Sequence, residues 1–433
     1  MNKAFASLAL ILAVLMIYVR PASAQQPKAQ PLVNTIRIEG PIDPAMALYV
    51  HRSIRLAEQN RAQALVVLLE TPGGLDDSMR SIIKDFFASK VPIVVYVWPN
   101  GARAASAGAI ITLASNIAAM SPSSAIGAAH PVGFGGGQLD DTMAKKVEND
   151  AAAYSRSIAQ RRRRNVEWAE LVVRESVSAS AQEAKEKNVI DIIAKNLDDL
   201  LQQIDGRRVN TSAGAVTIRT KNARTEKIDM NVRESFLHVI DNPNIVYLLM
   251  LIGLYGIIFE LSNPGLVFPG VIGGISLILA MVSLAVLPVN LTGIILLIFG
   301  IALMIADVFV PDVGILTVGG VISFVVGSIM LFETNSPAFS LSLVLVITMA
   351  ILTGGFFLFA VGAGFRAQKG RIVTGKEGMI GKVVEARTDI DPKGKVFAEG
   401  TLWNAETVGE PIRKGESVRI VGMENLTIKV VKE

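Results

Sequence analysis

The chain has no cysteine among its 433 residues. That excludes disulfides, thiolate catalysis and cysteine metal sites, although it does not identify the compartment. Excess charge of one sign is also missing, with 42 Lys and Arg against 38 Asp and Glu for a net charge of +4. The basic residues form no extended strip interleaved with aromatics, so nucleic acid is not an expected partner. The glycine-rich stretch Gly133-Phe134-Gly135-Gly136-Gly137 lacks phosphate-loop spacing and the Lys-Ser/Thr that would complete one, and it reads as a mobile flap. No ATP site, metal site or other cofactor is expected. What the chain has in plenty is apolar residues, 51% of the total, with a mean hydropathy of +0.45 that comes mostly from its second half. The length predicts roughly two to three domains.

Met1-Asn2-Lys3, the apolar stretch Leu8 to Ile17 and then Ala22-Ser23-Ala24 have the three parts of a secretory signal peptide, residues 1–24. Cleavage after Ala24 leaves Gln25 to Pro31 as a polar linker, and a mature domain begins near Leu32, outside the cytoplasm. From there to about Asn210 short apolar strands alternate with amphipathic helices, the pattern of an α/β domain with a mainly parallel sheet. Asp43 to Asn60 is read as a helix with Met46, Val50, Ile54 and Ala57 on one face, and Ser78 to Ala88 as another with Met79, Ile82, Ile83 and Phe86 inward.

Two motifs in this domain carry chemistry. The strand Ala64 to Leu69 runs into Glu70-Thr71-Pro72-Gly73-Gly74, where absent side chains free backbone N–H groups to face a developing oxyanion. A second strand, Val91 to Val97, leads into Ala104-Ala105-Ser106-Ala107-Gly108, where the chain turns into a helix at a serine, as in a nucleophile elbow. In this order and spacing the motifs resemble the ClpP/crotonase superfamily. With the apolar second half, the whole chain resembles the long NfeD-type membrane-bound serine proteases of the ClpP class, the partners of stomatin. The resemblance implies an α/β ClpP/crotonase-like protease domain over residues 32–210 and an ATP-independent serine endopeptidase. Ser106 would be the nucleophile, with Gly74 and Ala107 as oxyanion donors. It further implies a stomatin-like membrane protein as partner, an apolar peptide as substrate, and a homodimer or higher homo-oligomer.

Two residues compete for the role of base. The resemblance makes Lys146, in Lys145-Lys146-Val147-Glu148, the base of a Ser-Lys dyad. His130, in Ala128-Ala129-His130-Pro131, lies close to where ClpP carries its histidine. A histidine base wants a carboxylate to hold its tautomer, and the matching position falls at Ser176, with Glu175 beside it. A lysine needs no orienter but must lose its proton near neutral pH, which requires an apolar site; Val147, Ala151, Ala152 and Ala153 are candidates to form one. Lys146 is therefore the favoured base and His130 an alternative base or a groove residue. Arg161 to Arg164 reads as a solvated helix end. A different class of reading makes the protein a non-catalytic scaffold that organises stomatin-like partners.

Residues 211–241 read as a polar connection. Beyond it, five apolar runs within 245–365 are each about long enough to cross a hydrocarbon core roughly 30 Å thick. The first run is short and carries Glu260, so a re-entrant helix competes there. Arg366, Lys369 and Arg371 favour a cytoplasmic exit from the membrane lipid, which suits an inner-membrane protein with its protease domain outside. Gly273-Gly274, Gly319-Gly320 and Gly354-Gly355 are read as helix-packing positions. Residues 378–433 return to short alternating strands. Thr401-Leu402-Trp403-Asn404-Ala405 and Ile412-Arg413-Lys414-Gly415-Glu416 resemble the NfeD C-terminal OB-fold, with a protein-binding or structural role.

Overall fold

The computed structural model describes residues 30–131, 141–285, 287, 289–310, 314–332, 340–368 and 376–433. The expected signal peptide and the Gly133–Gly137 flap lie outside them. The chain divides into two compact units, taken here in turn. One holds the described residues up to Ile301 with Val321–Ile351, and the other holds Ala302–Gly320 with Leu352–Glu433.

The first unit is built on a six-stranded parallel sheet in the order β11-β1-β2-β3-β5-β8. Its strands are β1 (Leu32–Glu39), β2 (Ala64–Glu70), β3 (Ile93–Val97), β5 (Ile117–Met120), β8 (Ile192–Ile193) and β11 (Arg224–Lys227). A second small sheet joins β4 (Arg103–Ala105), β6 (Ala125–Gly127) and β7 (Ser178–Ser180), and β9 (Arg208–Thr211) forms a hairpin with β10 (Gly214–Thr217). The central strands are apolar on both faces because both faces are covered. Leu65, Val67, Leu69, Ile93, Val95 and Val97 join one core cluster, while Ala64, Val66, Val94 and Tyr96 join the other, alternating with the period of the pleat.

Helix α1 (Pro44–Gln59) starts where the Asp43 side chain accepts from Met46 N–H at 2.7 Å and Pro44 supplies a preset φ. It buries Met46, Val50, Ile54 and Ala57, as its spacing predicts. Helix α2 (Asp76–Ala88) likewise buries Met79, Ile82, Ile83 and Phe86. Each of these side chains larger than alanine contributes about 1.5–3 kcal/mol by leaving water. The remaining helices of the α/β part are α3 (Ala107–Ala114), α4 (Asp141–Arg162), α5 (Val166–Arg174), α6 (Ala181–Glu186) and α7 (Leu197–Ile204), and α8 (Val232–Ile240) follows the sheet.

Two expectations change here. The segment 211–241 is more than a connection, since it supplies β11 at the sheet edge against β1, and α8. The run Arg161 to Arg164 is not simply solvated. Arg164 is buried, pairs with Asp191 at 2.6 Å and donates to the carbonyls of Leu113 and Ser115. The guanidiniums of Arg161 and Arg162 lie over the Phe87 ring. Burial, with Arg164 and Arg161 nearby, pushes Arg162 down to about 10.

Five apolar helices follow: α9 (Pro243–Ser262), α10 (Phe268–Leu284), α11 (Leu291–Phe309), α12 (Ile315–Leu331) and α13 (Leu343–Gln368). Among the described residues three are long and apolar enough to cross a membrane, at Pro243–Ser262, Leu291–Phe309 and Leu343–Ala360, while α10 and α12 are shorter. The first apolar run thus forms a full-length helix, and Glu260 sits at its end, accepting from Val267 N–H at 3.2 Å. Close packing of α9 on α10 uses Gly256 and Gly273: a Cβ on Gly256 would lie 2.9 Å from the Gly273 Cα. Gly274, Gly319 and Gly355 face open space instead.

In the second unit Thr317 donates to the Asp307 carboxylate at 2.5 Å. After the short α14 (Lys376–Met379) come β12 (Val383–Ala386), β13 (Lys393–Ala398), β14 (Thr401–Thr407), β15 (Ser417–Glu424) and β16 (Thr427–Lys432), closed as a barrel in the order β12-β13-β14-β16-β15. Val396, Ile420, Ile428 and Val430 fill its interior. Trp403 donates its indole N–H to the Ala398 carbonyl at 3.2 Å. An α/β domain, apolar membrane helices and a small all-β barrel therefore follow one another as the resemblance implies.

Candidate active site

The site forms where β2 and β4 end side by side. Thr71 N–H donates to the Arg103 carbonyl at 2.9 Å, and Ala105 N–H donates to the Thr71 carbonyl at 3.1 Å. Beyond this bridge the Pro72-Gly73-Gly74 loop is shaped by Thr71, whose hydroxyl accepts from Gly73 N–H and donates to the Gly73 carbonyl, both at 3.0 Å. Ile42 then brackets Gly74. Its N–H donates to the Gly73 carbonyl at 2.9 Å, and its own carbonyl accepts from Leu75 N–H at 2.9 Å. In a parallel bridge of this kind the N–H of the bracketed residue points away from the partner, so Gly74 N–H faces the side opposite Ile42.

Glycine is required at both loop positions by close approach. A Cβ on Gly74 would lie 2.3 Å from the Ile42 carbonyl oxygen. Gly73, at φ +122°, would place one 2.7 Å from the Cβ of Ser106. The Pro-Gly-Gly loop thus lies directly against the serine.

Ser106 occupies the junction of β4 and α3 with φ 52° and ψ −117°, a conformation a non-glycine residue holds at about 1–3 kcal/mol of strain. Its N–H donates to both the Gly127 and Ala128 carbonyls at 3.1 Å, which anchors the turn on the end of β6. The side chain is partly exposed. Ala107 opens α3, where the helix dipole favours negative charge. Among the described residues, neither Gly74 N–H nor Ala107 N–H has a hydrogen-bond partner.

His130 follows Ala128 by two residues and is exposed, with its Nδ1 2.9 Å from the Val173 carbonyl. A carbonyl only accepts, so Nδ1 carries a proton, and in the neutral ring Nε2 is the acceptor. Among the described residues no carboxylate is hydrogen-bonded to this ring.

Lys146 sits near the start of α4 and is exposed. Among the described residues no apolar site forms around it. Val147 is 40% exposed and Ala153 is exposed, while the buried stripe is Ala152, Ser155, Ile158 and Ala159. At about 100° per residue Lys146 lies roughly 170° from the middle of that stripe, which is the physical reason for the difference. Lys145 falls on the line of the stripe but is equally exposed, because this end of α4 overhangs the domain. Ser106, Ala107 and the glycine loop are therefore brought together, and no hydrogen bond joins either candidate base to Ser106 among the described residues. Sequence reasoning missed Thr71; a threonine directly before Pro-Gly-Gly, able to bond the backbone two residues on, was the available signal.

Residues 32–207 match the NfeD1b N-terminal domain, 244–362 the NfeD integral membrane domain and 376–432 the NfeD-like C-terminal, partner-binding domain. The chain is 34% identical over 415 residues to the membrane-bound protease PH1510 of Pyrococcus horikoshii, covering 94% of each. It is 24% identical to the membrane protein NfeD1b of Bacillus subtilis, covering 93% of this chain and 92% of that one. Among solved structures it is similar to a mutant of the 1510-N membrane-bound stomatin-specific protease in complex with a substrate peptide. That match has 30% identity and a TM-score of 0.45, and covers 49% of this chain and 98% of the other. Near-complete coverage at this level of identity, with three domain matches in the same order, makes the chain a member of the NfeD family of membrane proteins.

Proposed function

We propose that the protein is a membrane-anchored, ATP-independent serine endopeptidase of the ClpP class. The observation that carries this reading is Ser106: a strained serine at a strand-to-helix turn, pressed against a glycine loop. In the proposed cycle Ser106 Oγ attacks a peptide carbonyl while the base takes its proton. Gly74 N–H and Ala107 N–H hold the oxyanion, and the base returns the proton to the leaving amine. Water then releases the acyl group by the same route. The favoured base is Lys146, with the cover its ammonium needs supplied from outside the α/β domain of one chain, by a second copy or by the substrate. The substrates are apolar segments of stomatin-like membrane proteins, in keeping with the protease and partner-binding names of its relatives. A Ser-His reading is favoured by one observation, the Val173 carbonyl that holds the His130 ring with Nε2 free. The test is labelling by a serine-directed phosphonate. Stoichiometric modification at Ser106 is the expected result, and a folded sample that takes up no label favours a scaffold.

We place the protease domain outside the cytoplasm and the OB-fold inside, in the inner membrane. Three long apolar helices, or all five, are odd numbers of crossings and put the ends on opposite sides. A reporter fused after Glu433 should read as cytoplasmic and one after Asn210 as external. Reporters on the same side would demand an even number of crossings and reject this topology.

A further inference from the structure

Asp43 joins the active-site loop to the helix that leads into the membrane. Its carboxylate is 5% exposed and divides its two oxygens between two elements. Oδ1 caps α1 by accepting from Met46 N–H at 2.7 Å, and Oδ2 lies 2.5 Å from Nδ1 of His238 on α8. The residue before it is Ile42, whose two backbone bonds bracket Gly74 and leave no space for a side chain between them. A shift at the start of α1 therefore shifts Gly74.

Helix α8 is tied to α1 at a second point. Glu234 is buried, closes the capping box with Asn231 and accepts two 2.7 Å bonds from the Arg52 guanidinium, which also donates to the Asp229 carbonyl at 2.7 Å. Past Ile240 only Asp241 and Asn242 separate α8 from α9, a membrane-capable helix. Arg52 and Glu234 fix where α8 lies, and His238 passes that position to Asp43.

We propose that His238 and Asp43 are positioning residues for hydrolysis: through Ile42 they hold Gly74 N–H where the oxyanion forms, so that docking of α8 completes the oxyanion hole. The inference rests on the endopeptidase reading and adds to it a dependence on the junction with the membrane. The charge environment suits it, since the Asp43 carboxylate raises the pKa of the His238 imidazole above its ordinary value. Asp241, pushed up to about 6 by burial and by the Asp43 charge, lies near the same pair.

The test uses the full chain in lipid nanodiscs. It measures the rate of inactivation by a fluorophosphonate and the turnover of an apolar fluorogenic peptide. Asp43→Asn keeps an acceptor for Met46 N–H while removing the charge, and His238→Ala removes the partner. Each should slow both inactivation and kcat by about ten- to a hundredfold, the scale of a small misplacement of a catalytic group, with KM held within about twofold. Because both act through one contact, the double variant should be no slower than the slower single variant. His238→Asn, whose amide can donate near the place of Nδ1, should recover most of the rate. If the wild type reacts and the variants stay within about twofold of it, or if the two losses multiply, the positioning role is overturned while the endopeptidase stands. A wild type that does not react overturns the endopeptidase reading, and the inference with it.

Discussion

Ser106→Ala should leave the protein folded and abolish peptide cleavage, lowering turnover by about 10⁴-fold or more. The turn already tolerates a Cβ at φ 52°, and alanine keeps that atom and its contact with Gly73, so only the nucleophilic oxygen is lost. Emission from Trp168, buried in α5, reports on the fold of the same sample. Substantial turnover by the purified variant would sink the assignment of Ser106. Because no other step of the proposed cycle proceeds without the acyl-enzyme, no single substitution is expected to cost more.

Lys146→Ala should cost about as much as Ser106→Ala, and combining the two should cost no more than either, because nucleophile and base act as one unit. His130→Ala should be milder and change apparent affinity more than turnover if the ring lines the groove, where the Val173 carbonyl holds it. The contest between the two is sharpened by the structure. Lys146 is exposed within one chain, whereas His130 is held in a defined tautomer two residues from the Ala128 carbonyl that anchors Ser106. A dead His130→Ala beside an active Lys146→Ala, both folded, would reverse the choice of base and make this a Ser-His enzyme without an orienting carboxylate.

The elements that the sequence reveals are those whose signal is local. The runs 64–69 and Ile93–Val97 are apolar throughout because helices cover both faces, and α1 and α2 show their inward faces at helical spacing. Ser106 is legible for the same reason, since a strand, a run of small residues and a helix are consecutive. The elements it hides depend on partners distant in the chain. Arg164 reads as one more charge in a basic run until Asp191 and the carbonyls of Leu113 and Ser115 surround it. Asp43 and His238 meet across 195 positions, and neither has a neighbour that announces the other. Lys146 shows the converse, where apolar neighbours in sequence suggested a pocket that the helix distributes over different faces.

The position of β11 bears on how the chain can be cut and how it avoids sticking to itself. This strand, Arg-Thr-Glu-Lys at residues 224–227, is fully exposed and lies outermost in the sheet, against the first strand of the domain. Its charges, including the Arg224–Glu226 pair at 3.1 Å and the Lys227–Asp229 pair at 2.5 Å, make it a poor template for a further strand. A fragment ended at residue 210 would lack it and present the backbone edge of β1 to other copies. This charged border is also the last strand of the sheet in chain order, just ahead of the first membrane-capable helix, so the edge of β1 is covered only once the chain has run as far as residue 227.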